Sequence, residues 1–217
     1  MNKIKVFIVD DHEIFRNGLK LLLNNIDKVE VVGEAANGEE FLSTYEKSKA
    51  DIIFMDISLP VMDGIQATKK ALEKNPHLKI IALTTFGDME YFNEMIYSGV
   101  VGFMLKNSVS RDFEIAIEKV INGGNFFSEE MIIKITKQVI DEKTHKNEKQ
   151  KLPNLTRREY DVLKLICHGY SNKKIGDCLN ISSRTVERHK TNLIAKTDTH
   201  NTLNLVIYAF KNALVEL

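Results

Sequence analysis

Cysteine is scarce in this sequence, which has only Cys167 and Cys178 among 217 residues. Two cysteines are too few for a disulfide framework, and they lack the spacing of zinc ligands. Long apolar runs are also missing, because no window is long enough to cross a bilayer. The first apolar run, Ile4–Val9, is short, contains Lys5 and is followed at once by two aspartates, unlike a secretion signal. We therefore expect a protein of the reducing cytoplasm with no membrane segment.

The chain has no excess of either charge, with 30 Lys and Arg residues against 30 Asp and Glu. The two ends nevertheless differ. Residues 1–123 hold 14 basic and 19 acidic side chains, a net charge of −5, whereas residues 154–217 hold 10 and 6, a net charge of +4. This asymmetry predicts an acidic domain joined to a domain that meets a polyanion.

The first half of the chain alternates between strand-like and helix-like segments. Short runs rich in Val, Ile and Phe predict buried strands at residues 3–9, 29–34, 51–55, 79–83 and 101–105. Segments with a period of 3.6 predict helices at residues 14–24, 39–48, 65–74, 90–98 and 111–121. Five strand–helix units in a row predict an α/β domain with a doubly wound, five-stranded parallel sheet and helices on both faces.

The end of this alternation divides the chain. Gly123 and Gly124 close the last helix, so the first domain is predicted to span residues 1–123. A connecting helix is predicted at residues 129–140. Residues 141–151 have no apolar side chain and cannot bury enough surface to order themselves. Residues 124–153 are therefore predicted to join two domains.

Residues 154–217 have an all-helical pattern. Thr156 and Glu159 form a capping box, which satisfies amide donors at a helix start. Helices are predicted at residues 156–168, 171–179, 184–196 and 202–215. The tight turn at residues 180–183 joins two short helices and suggests a helix-turn-helix, although this arrangement alone is not specific.

Polar side chains stand at the ends of the predicted strands. Asp10 and Asp11 follow the first strand, Asp56 the third, Thr84 the fourth and Lys106 the fifth. Because the carboxyl ends of parallel strands meet at one edge of a sheet, these five side chains are predicted to converge. Each has an ordinary explanation by itself, such as an aspartate capping the next helix, but the whole set in this order favours a functional site.

The chemistry of this set points to phosphoryl transfer. Clustered carboxylates repel one another unless a cation lies among them, and Mg²⁺ takes such oxygen ligands. The ion would also neutralise phosphoryl oxygens, so that Asp56 could act as a nucleophile and form an aspartyl phosphate. Lys106 offers a compact positive charge and Thr84 a hydroxyl donor for the remaining phosphoryl oxygens.

Four segments match a known family. They are Asp10-Asp11, Asp56-Ile-Ser-Leu-Pro-Val-Met-Asp-Gly64, Leu83-Thr84 and Gly102-Phe-Met-Leu-Lys106. On these segments, residues 1–123 resemble the receiver domain of two-component response regulators. The resemblance implies that a cognate sensor histidine kinase supplies the phosphoryl group that Asp56 accepts.

The same resemblance implies further roles. Asp10, Asp11 and Asp56 would hold Mg²⁺ together with the backbone carbonyl of Ser58. Thr84 would form a switch pair with Phe103, in which the hydroxyl moves toward the phosphate and the aromatic ring turns inward.

Two other functions use similar residues. Phosphatases of the dehalogenase-like type also pass through an aspartyl phosphate, but their chemistry requires an acid two positions after the nucleophile, where this sequence has Ser58. A binding module that is never phosphorylated would leave the acid set without a use. We therefore expect a regulator and not an enzyme.

The predicted helix at residues 184–196 has two different sides. Its inward side carries Val186, His189 and Leu193, and its outward side carries Arg184, Arg188, Thr191 and Ala195. Such a helix can lie in the major groove of double-stranded DNA, where Arg188 could contact guanine and Thr191 a thymine methyl group or an acceptor edge. Lys190 lies at the margin, where it would meet phosphate or pack its stem over Ile194.

Three segments of the second half also match a family. They are Leu155-Thr-Arg-Arg-Glu-Tyr-Asp-Val-Leu163, Gly169-Tyr-Ser-Asn-Lys-Lys-Ile175 and Ile181-Ser-Ser-Arg-Thr-Val-Glu-Arg-His-Lys-Thr-Asn-Leu193. Residues 154–217 thereby resemble the four-helix output domain of LuxR/NarL-type (FixJ-like) regulators. The family's base-contacting positions match Glu187, Arg188 and Thr191, and its phosphate-contacting positions match Arg184, Thr185 and Lys190.

The combined resemblance implies a transcriptional response regulator that binds promoter DNA. Phosphorylation would favour a homodimer and release the output domain from an inhibitory contact. The dimer surface of the output domain is predicted on the last helix, at Leu203, Val206, Ile207 and Phe210.

Some residues of the output domain depart from the family pattern or have structural explanations. Lys174 stands where the family usually has Glu. Gly176 replaces the usual Ala, which costs roughly 1 kcal/mol inside a helix. Cys167 and Cys178 lie on apolar helix faces and are predicted to be core residues.

Overall fold

The computed structural model describes residues 3–85, 91–127, 153–199 and 201–215. The predicted connecting helix and polar linker, at residues 129–151, lie outside the described residues.

A parallel sheet forms the centre of the first domain. Its strands are β1 (Ile4–Val9), β2 (Val29–Ala35), β3 (Ile52–Asp56), β4 (Ile80–Thr84), β5 (Gly102–Leu105) and β6 (Phe126–Phe127), in the order β2-β1-β3-β4-β5-β6. Every residue of β3, β4 and β5 is buried, as expected for parallel strands covered on both faces. The predicted α/β class is confirmed.

The sheet has one more strand than predicted. After the turn at Gly123 and Gly124, the chain runs beside the free edge of β5 and pairs Phe126 with Gly102 and Phe127 with Phe103. Two residues are too few for a recognisable strand pattern in the sequence, but pairing satisfies their backbone groups at an edge that would otherwise be open.

Helices cover both faces of the sheet. They are α1 (Glu13–Asn24), α2 (Gly38–Ser48), α3 (Gly64–Lys74), α4 (Phe92–Tyr97) and α5 (Ser110–Ile121). One core includes Phe41 of α2, Ala71 of α3 and Met95 of α4, and the other includes Leu23 of α1 and Phe113 of α5. This division between two cores makes the domain doubly wound.

Four helices form the second domain, as predicted. They are α6 (Arg157–Cys167), α7 (Asn172–Leu179), α8 (Ser183–Thr197) and α9 (Thr202–Lys211). The predicted capping box is present, because the Thr156 side chain accepts a hydrogen bond from the Glu159 amide and the Glu159 carboxylate accepts one from the Thr156 amide. Glu159 Oε2 also lies 2.7 Å from Lys196 Nζ of α8. This ion pair joins the start of α6 to the end of α8.

The structure explains Gly176 and corrects Cys178. A Cβ at Gly176 would lie 2.6 Å from the carbonyl oxygen of Ile181, so alanine would push apart the turn between α7 and α8. The close approach of the Ile181 carbonyl that glycine allows therefore compensates for the low helix propensity of glycine. Cys167 is buried as predicted, but Cys178 is exposed, because the buried residues of the short helix α7 are Ile175 and Gly176.

The two domains meet where α9 lies against α4. Asn201 caps α9, and its side-chain amide donates a 2.7 Å hydrogen bond to the carbonyl oxygen of Ile96 in α4. Ile207 of α9 packs against the core of the first domain that contains Met95 and Ile96. The last helix of the chain is therefore engaged with the first domain.

Candidate functional site

The strand ends bring the acidic side chains together. Asp10 directly follows β1 and Asp56 ends β3, and these two strands are neighbours with Val9 paired to Met55. Thr84 ends the next strand, β4. Asp10 is 0% exposed and Asp56 is 1% exposed. Two carboxyl groups are thus buried side by side at the carboxyl edge of the sheet.

Lys106 bridges these two carboxyl groups. It follows β5, and its Nζ lies 2.8 Å from Asp10 Oδ2 and 2.8 Å from Asp56 Oδ2. Burial works to lower the pKa of Lys106, but the hydrogen bonds to Asp10 and Asp56 outweigh it and raise that pKa above its ordinary value. The ammonium group therefore stays charged and offsets the repulsion between the two acids.

The carboxyl group of Asp56 has a raised pKa. Burial raises the pKa of its carboxyl group to about 6, even though the hydrogen bond and charge of Lys106 act in the opposite direction. The neighbouring charge of Asp10 contributes to the increase. The Asp56 carboxylate therefore lacks enough positive charge around it to offset its loss of hydration.

A candidate metal site lies in the same place. Ligand atoms of Asp10, Asp11, His12 and Asp56 all fall within 4.8 Å of one another. Carboxylate oxygens suit a hard cation such as Mg²⁺, and the charge deficit at Asp56 is what such a cation would relieve. The Ser58 amide lies 3.4 Å from Asp56 Oδ1, so the Ser58 backbone borders the site.

His12 is the member of this cluster that the sequence interpretation did not include. Its Nδ1 lies 2.9 Å from Asp11 Oδ1, and its side chain is largely exposed. The signal in the sequence was its position directly after the acidic pair, which places it at the same strand end.

The predicted switch residues are both inside the domain. Thr84 is completely buried, and its hydroxyl group donates a 2.9 Å hydrogen bond to the carbonyl oxygen of Thr85. Phe103, on the neighbouring strand β5, is also completely buried and belongs to the core that contains Met95 and Ile96 of α4. The aromatic ring therefore lies inward and packs within the core that α4 helps to build.

The outward side of α8 is exposed. Arg184, Arg188 and Thr191 are open to solvent, and Thr185 is half-buried beside them. Ser182 caps the helix by accepting a hydrogen bond from the Thr185 amide. The positive charge expected of a DNA-contacting surface is thus accessible.

Glu187 and Lys190 of α8 are less free than the helical pattern predicts. Lys190 is only 7% exposed, and its Nζ lies 3.5 Å from Glu187 Oε2. The same Glu187 oxygen accepts a 2.6 Å hydrogen bond from the Asn172 side chain of α7. Of the two expectations for Lys190, contact with phosphate and a stem packed against the domain, its burial favours the packed stem.

Two family models match the chain. The response regulator receiver domain matches residues 6–118, about half of the chain, and the luxR family of bacterial regulatory proteins matches residues 153–209. The chain belongs to the LuxR-type transcriptional response regulators.

Relatives of this response regulator match over nearly its whole length. YhcZ of Bacillus subtilis, an uncharacterised transcriptional regulatory protein, is 38% identical over 210 residues, which is 96% of each chain. The response regulator protein VraR of Staphylococcus epidermidis is 33% identical over 213 residues, covering 98% of this chain and 99% of VraR.

Solved structures resemble the response regulator as well. RcsB of Salmonella typhimurium is 26% identical with a TM-score of 0.60, and the match covers 96% of this chain and 98% of RcsB. A structure of RcsB in complex with DNA is 26% identical with a TM-score of 0.57, over 97% and 99% of the two chains. Among the described residues of this regulator, no helix is both long and apolar enough to span a membrane.

Proposed function

We propose that the regulator is switched by phosphorylation of Asp56. An oxygen of the Asp56 carboxylate would attack the phosphorus of a phosphohistidine in a sensor histidine kinase. The phosphorus–nitrogen bond would break, and its electron pair would leave with the histidine. The observation that supports Asp56 most strongly is its buried carboxylate, with a pKa of about 6 and an ammonium group 2.8 Å away.

Asp10, Asp11 and Asp56 would hold Mg²⁺ with the Ser58 carbonyl, and the ion would supply positive charge for the phosphoryl oxygens. Lys106 would then pair with a phosphoryl oxygen in place of the Asp56 carboxylate, since transfer moves the negative charge outward along the same side chain. The burial of Asp10 and Asp56 keeps water from competing for these contacts.

The effect of phosphorylation would be transmitted to the output domain through Thr84, Phe103 and α4. A hydroxyl group drawn toward the phosphate would leave the Thr85 carbonyl, and the core around Phe103 would adjust to it. Met95 and Ile96 of α4 belong to that core, and Ile96 also accepts the hydrogen bond from Asn201. A shift of α4 would therefore weaken the contact with α9.

In this arrangement α9 is engaged while the outer side of α8 remains exposed. The inhibitory contact would therefore act by blocking dimerisation through α9, and not by covering the DNA-contacting residues. The predicted dimer surface needs revision, since Val206 is buried in the output domain's own core and Phe210 packs against that core. The side chain of Leu203 is not among those described. Of the four residues predicted for the dimer surface, Ile207 is therefore the described one that remains available for a dimer contact.

DNA contact is proposed through Arg184, Thr185, Glu187, Arg188 and Thr191 of α8. Two output domains on one duplex would place two such helices in successive major grooves, so the operator should contain half-sites about one helical turn apart. Lys190, buried as it is, would support Glu187 and not meet phosphate directly.

Intact-mass measurement after incubation with Mg²⁺ and a small phosphodonor tests the phosphoacceptor. The wild type is expected to gain one phosphoryl group, and Asp56→Asn none. Asp63→Asn is the matched control, because the Asp63 side chain caps α3 by accepting from the Gln66 backbone amide, a role that asparagine retains, and its other partner is the Gln66 side chain. Undiminished labelling of Asp56→Asn would refute the assignment.

A further inference from the structure

A second region of contact between the domains contains a cleft. The cleft has a volume of about 310 Å³ and lies between α5 of the receiver domain and the segment that links α6 to α7 in the output domain. The charged or titratable side chains that line it are Glu118, Lys119, His168 and Lys174, together with the ring of Tyr170. None of these residues belongs to the phosphoacceptor site or to the outward side of α8.

The two domains touch closely at one wall of this cleft. Gly169 has a φ of +71°, and a Cβ on it would lie 3.2 Å from Lys119 Nζ. The absence of a side chain at Gly169 therefore leaves room for the Lys119 ammonium group against the backbone of the output domain. The ammonium group of a receiver residue is thus part of the domain contact.

Two cations, Lys119 and Lys174, face this cleft. Within the described part of the chain, neither Lys119 nor Lys174 makes an ion pair, and both lie over aromatic rings, with Lys174 Nζ 4.1 Å from the Tyr170 ring centre and Lys119 Nζ 5.6 Å from that of Phe126. Burial, together with the charge of Lys174, lowers the pKa of Lys119. Like charges from the two domains therefore oppose the contact that brings them together.

The start of helix α7 adds to the positive potential of the cleft. Helix α7 begins at Asn172 beside the cleft, with Ser171 as its cap, and the start of a helix carries partial positive charge. Glu118 is exposed and is the acidic residue on the cleft wall.

We propose that this cleft binds a small multivalent anion with phosphate chemistry, such as pyrophosphate or the diphosphate of a nucleotide. The anion would accept charge-assisted hydrogen bonds from Lys119 on one domain and Lys174 on the other. It would thereby turn a repulsive contact into an attractive one and hold the two domains together. Binding of the anion does not depend on the proposed phosphorylation of Asp56.

Calorimetric titration of the full-length, unphosphorylated protein tests the binding. Pyrophosphate and ADP are added in separate experiments with a chelator present, so that Mg²⁺ does not draw them to Asp10 and Asp56. The wild type should bind at least one of them, and Lys119→Gln and Lys174→Glu should each weaken that binding about tenfold or more, which corresponds to about 1.4 kcal/mol. Lys173→Gln, an exposed neighbour on α7, is the matched control and should bind as the wild type does.

The two ligands distinguish two sources of the anion. Equal affinity would show that the diphosphate alone is recognised, and tighter binding of ADP would show that an organic phosphate also uses the ring of Tyr170. Failure of both ligands to bind, or equal affinity in Lys174→Glu and Lys173→Gln, would overturn the proposal.

Small-angle scattering on the same samples tests whether the anion joins the domains. The bound anion should reduce the radius of gyration of the wild type. Lys174→Glu should be compact without any anion and should not respond to it, because its new carboxylate can pair directly with Lys119. An unchanged radius of gyration in the wild type at saturating ligand would refute the clamping role, whatever the affinity.

Discussion

Replacing Asp56 by asparagine should make the unphosphorylated protein more stable, and by an amount that depends on pH. The folded protein raises the pKa of Asp56 from an ordinary value of 3.8 to about 6. That difference corresponds to about 3 kcal/mol at 25 °C, which is the cost of keeping the buried group ionised. Asparagine has nearly the same shape and never ionises, so Asp56→Asn avoids this cost.

The direction of the pH dependence follows from proton linkage. A carboxyl group whose pKa is raised on folding stabilises the protein below its ordinary pKa, and this contribution is lost as the pH rises through the folded pKa. Wild type and Asp56→Asn should therefore be similar near pH 4. Between pH 4 and pH 7 the variant should become more stable than the wild type, up to a plateau of about 3 kcal/mol.

Urea denaturation followed by circular dichroism, at several pH values and in the presence of a chelator, measures this difference. In a separate series without chelator, added Mg²⁺ should stabilise the wild type more than the variant, because Asp56 is one of its proposed ligands. Asp63→Asn, at the cap of α3, is the control for the substitution itself. The reasoning would be wrong if Asp56→Asn were less stable than the wild type at pH 7.5, or if the difference did not change with pH.

Other perturbations test the output domain and its contact with the receiver. Glu159→Gln should lower the free energy of unfolding by about 1–2 kcal/mol at pH 7, because it weakens the capping box and removes the ion pair with Lys196. Since the pKa of Glu159 is lowered on folding, this difference should shrink in acid. Urea denaturation at several pH values would show both effects. Arg188→Ala should weaken binding to a specific duplex by ~1–3 kcal/mol but bind a scrambled duplex nearly as well as the wild type, as fluorescence anisotropy at several salt concentrations would show. Lys190→Ala should chiefly lower the free energy of unfolding, as urea denaturation would show. Ile207→Ala should loosen the contact between α9 and α4, so that the unphosphorylated protein has a larger radius of gyration than the wild type; an unchanged radius would contradict this role of α9.

Local patterns in the sequence were enough to predict most elements of both domains. The buried strands could be recognised because parallel strands between two helix layers are almost entirely apolar. The convergence of Asp10, Asp56 and Lys106 followed from the same pattern, since residues that end parallel strands meet at one edge. The capping box at Thr156 and Glu159 involves only neighbouring residues, so it too could be predicted.

The tertiary structure alone decided which surfaces are covered. A period of 3.6 shows that residues share a side of a helix, but not what packs against that side. Lys190 is buried in the folded domain, whereas Cys178 is exposed. Helical periodicity placed Lys190 at the margin of one side and Cys178 on an apolar side, because it contains no information about neighbouring elements.

The relation between the two domains was beyond the sequence for the same reason. The Asn201 side chain contacts Ile96, which is 105 residues earlier in the chain, and Lys119 meets the backbone at Gly169 across the domain boundary. Each contact depends on the folded shapes of two separate domains. The sequence alone therefore determined the helices and strands and the phosphoacceptor edge of the sheet. Tertiary packing decided the contact of α9 with α4 and the approach of two lysines across a cleft, because it brings together residues that no local pattern connects.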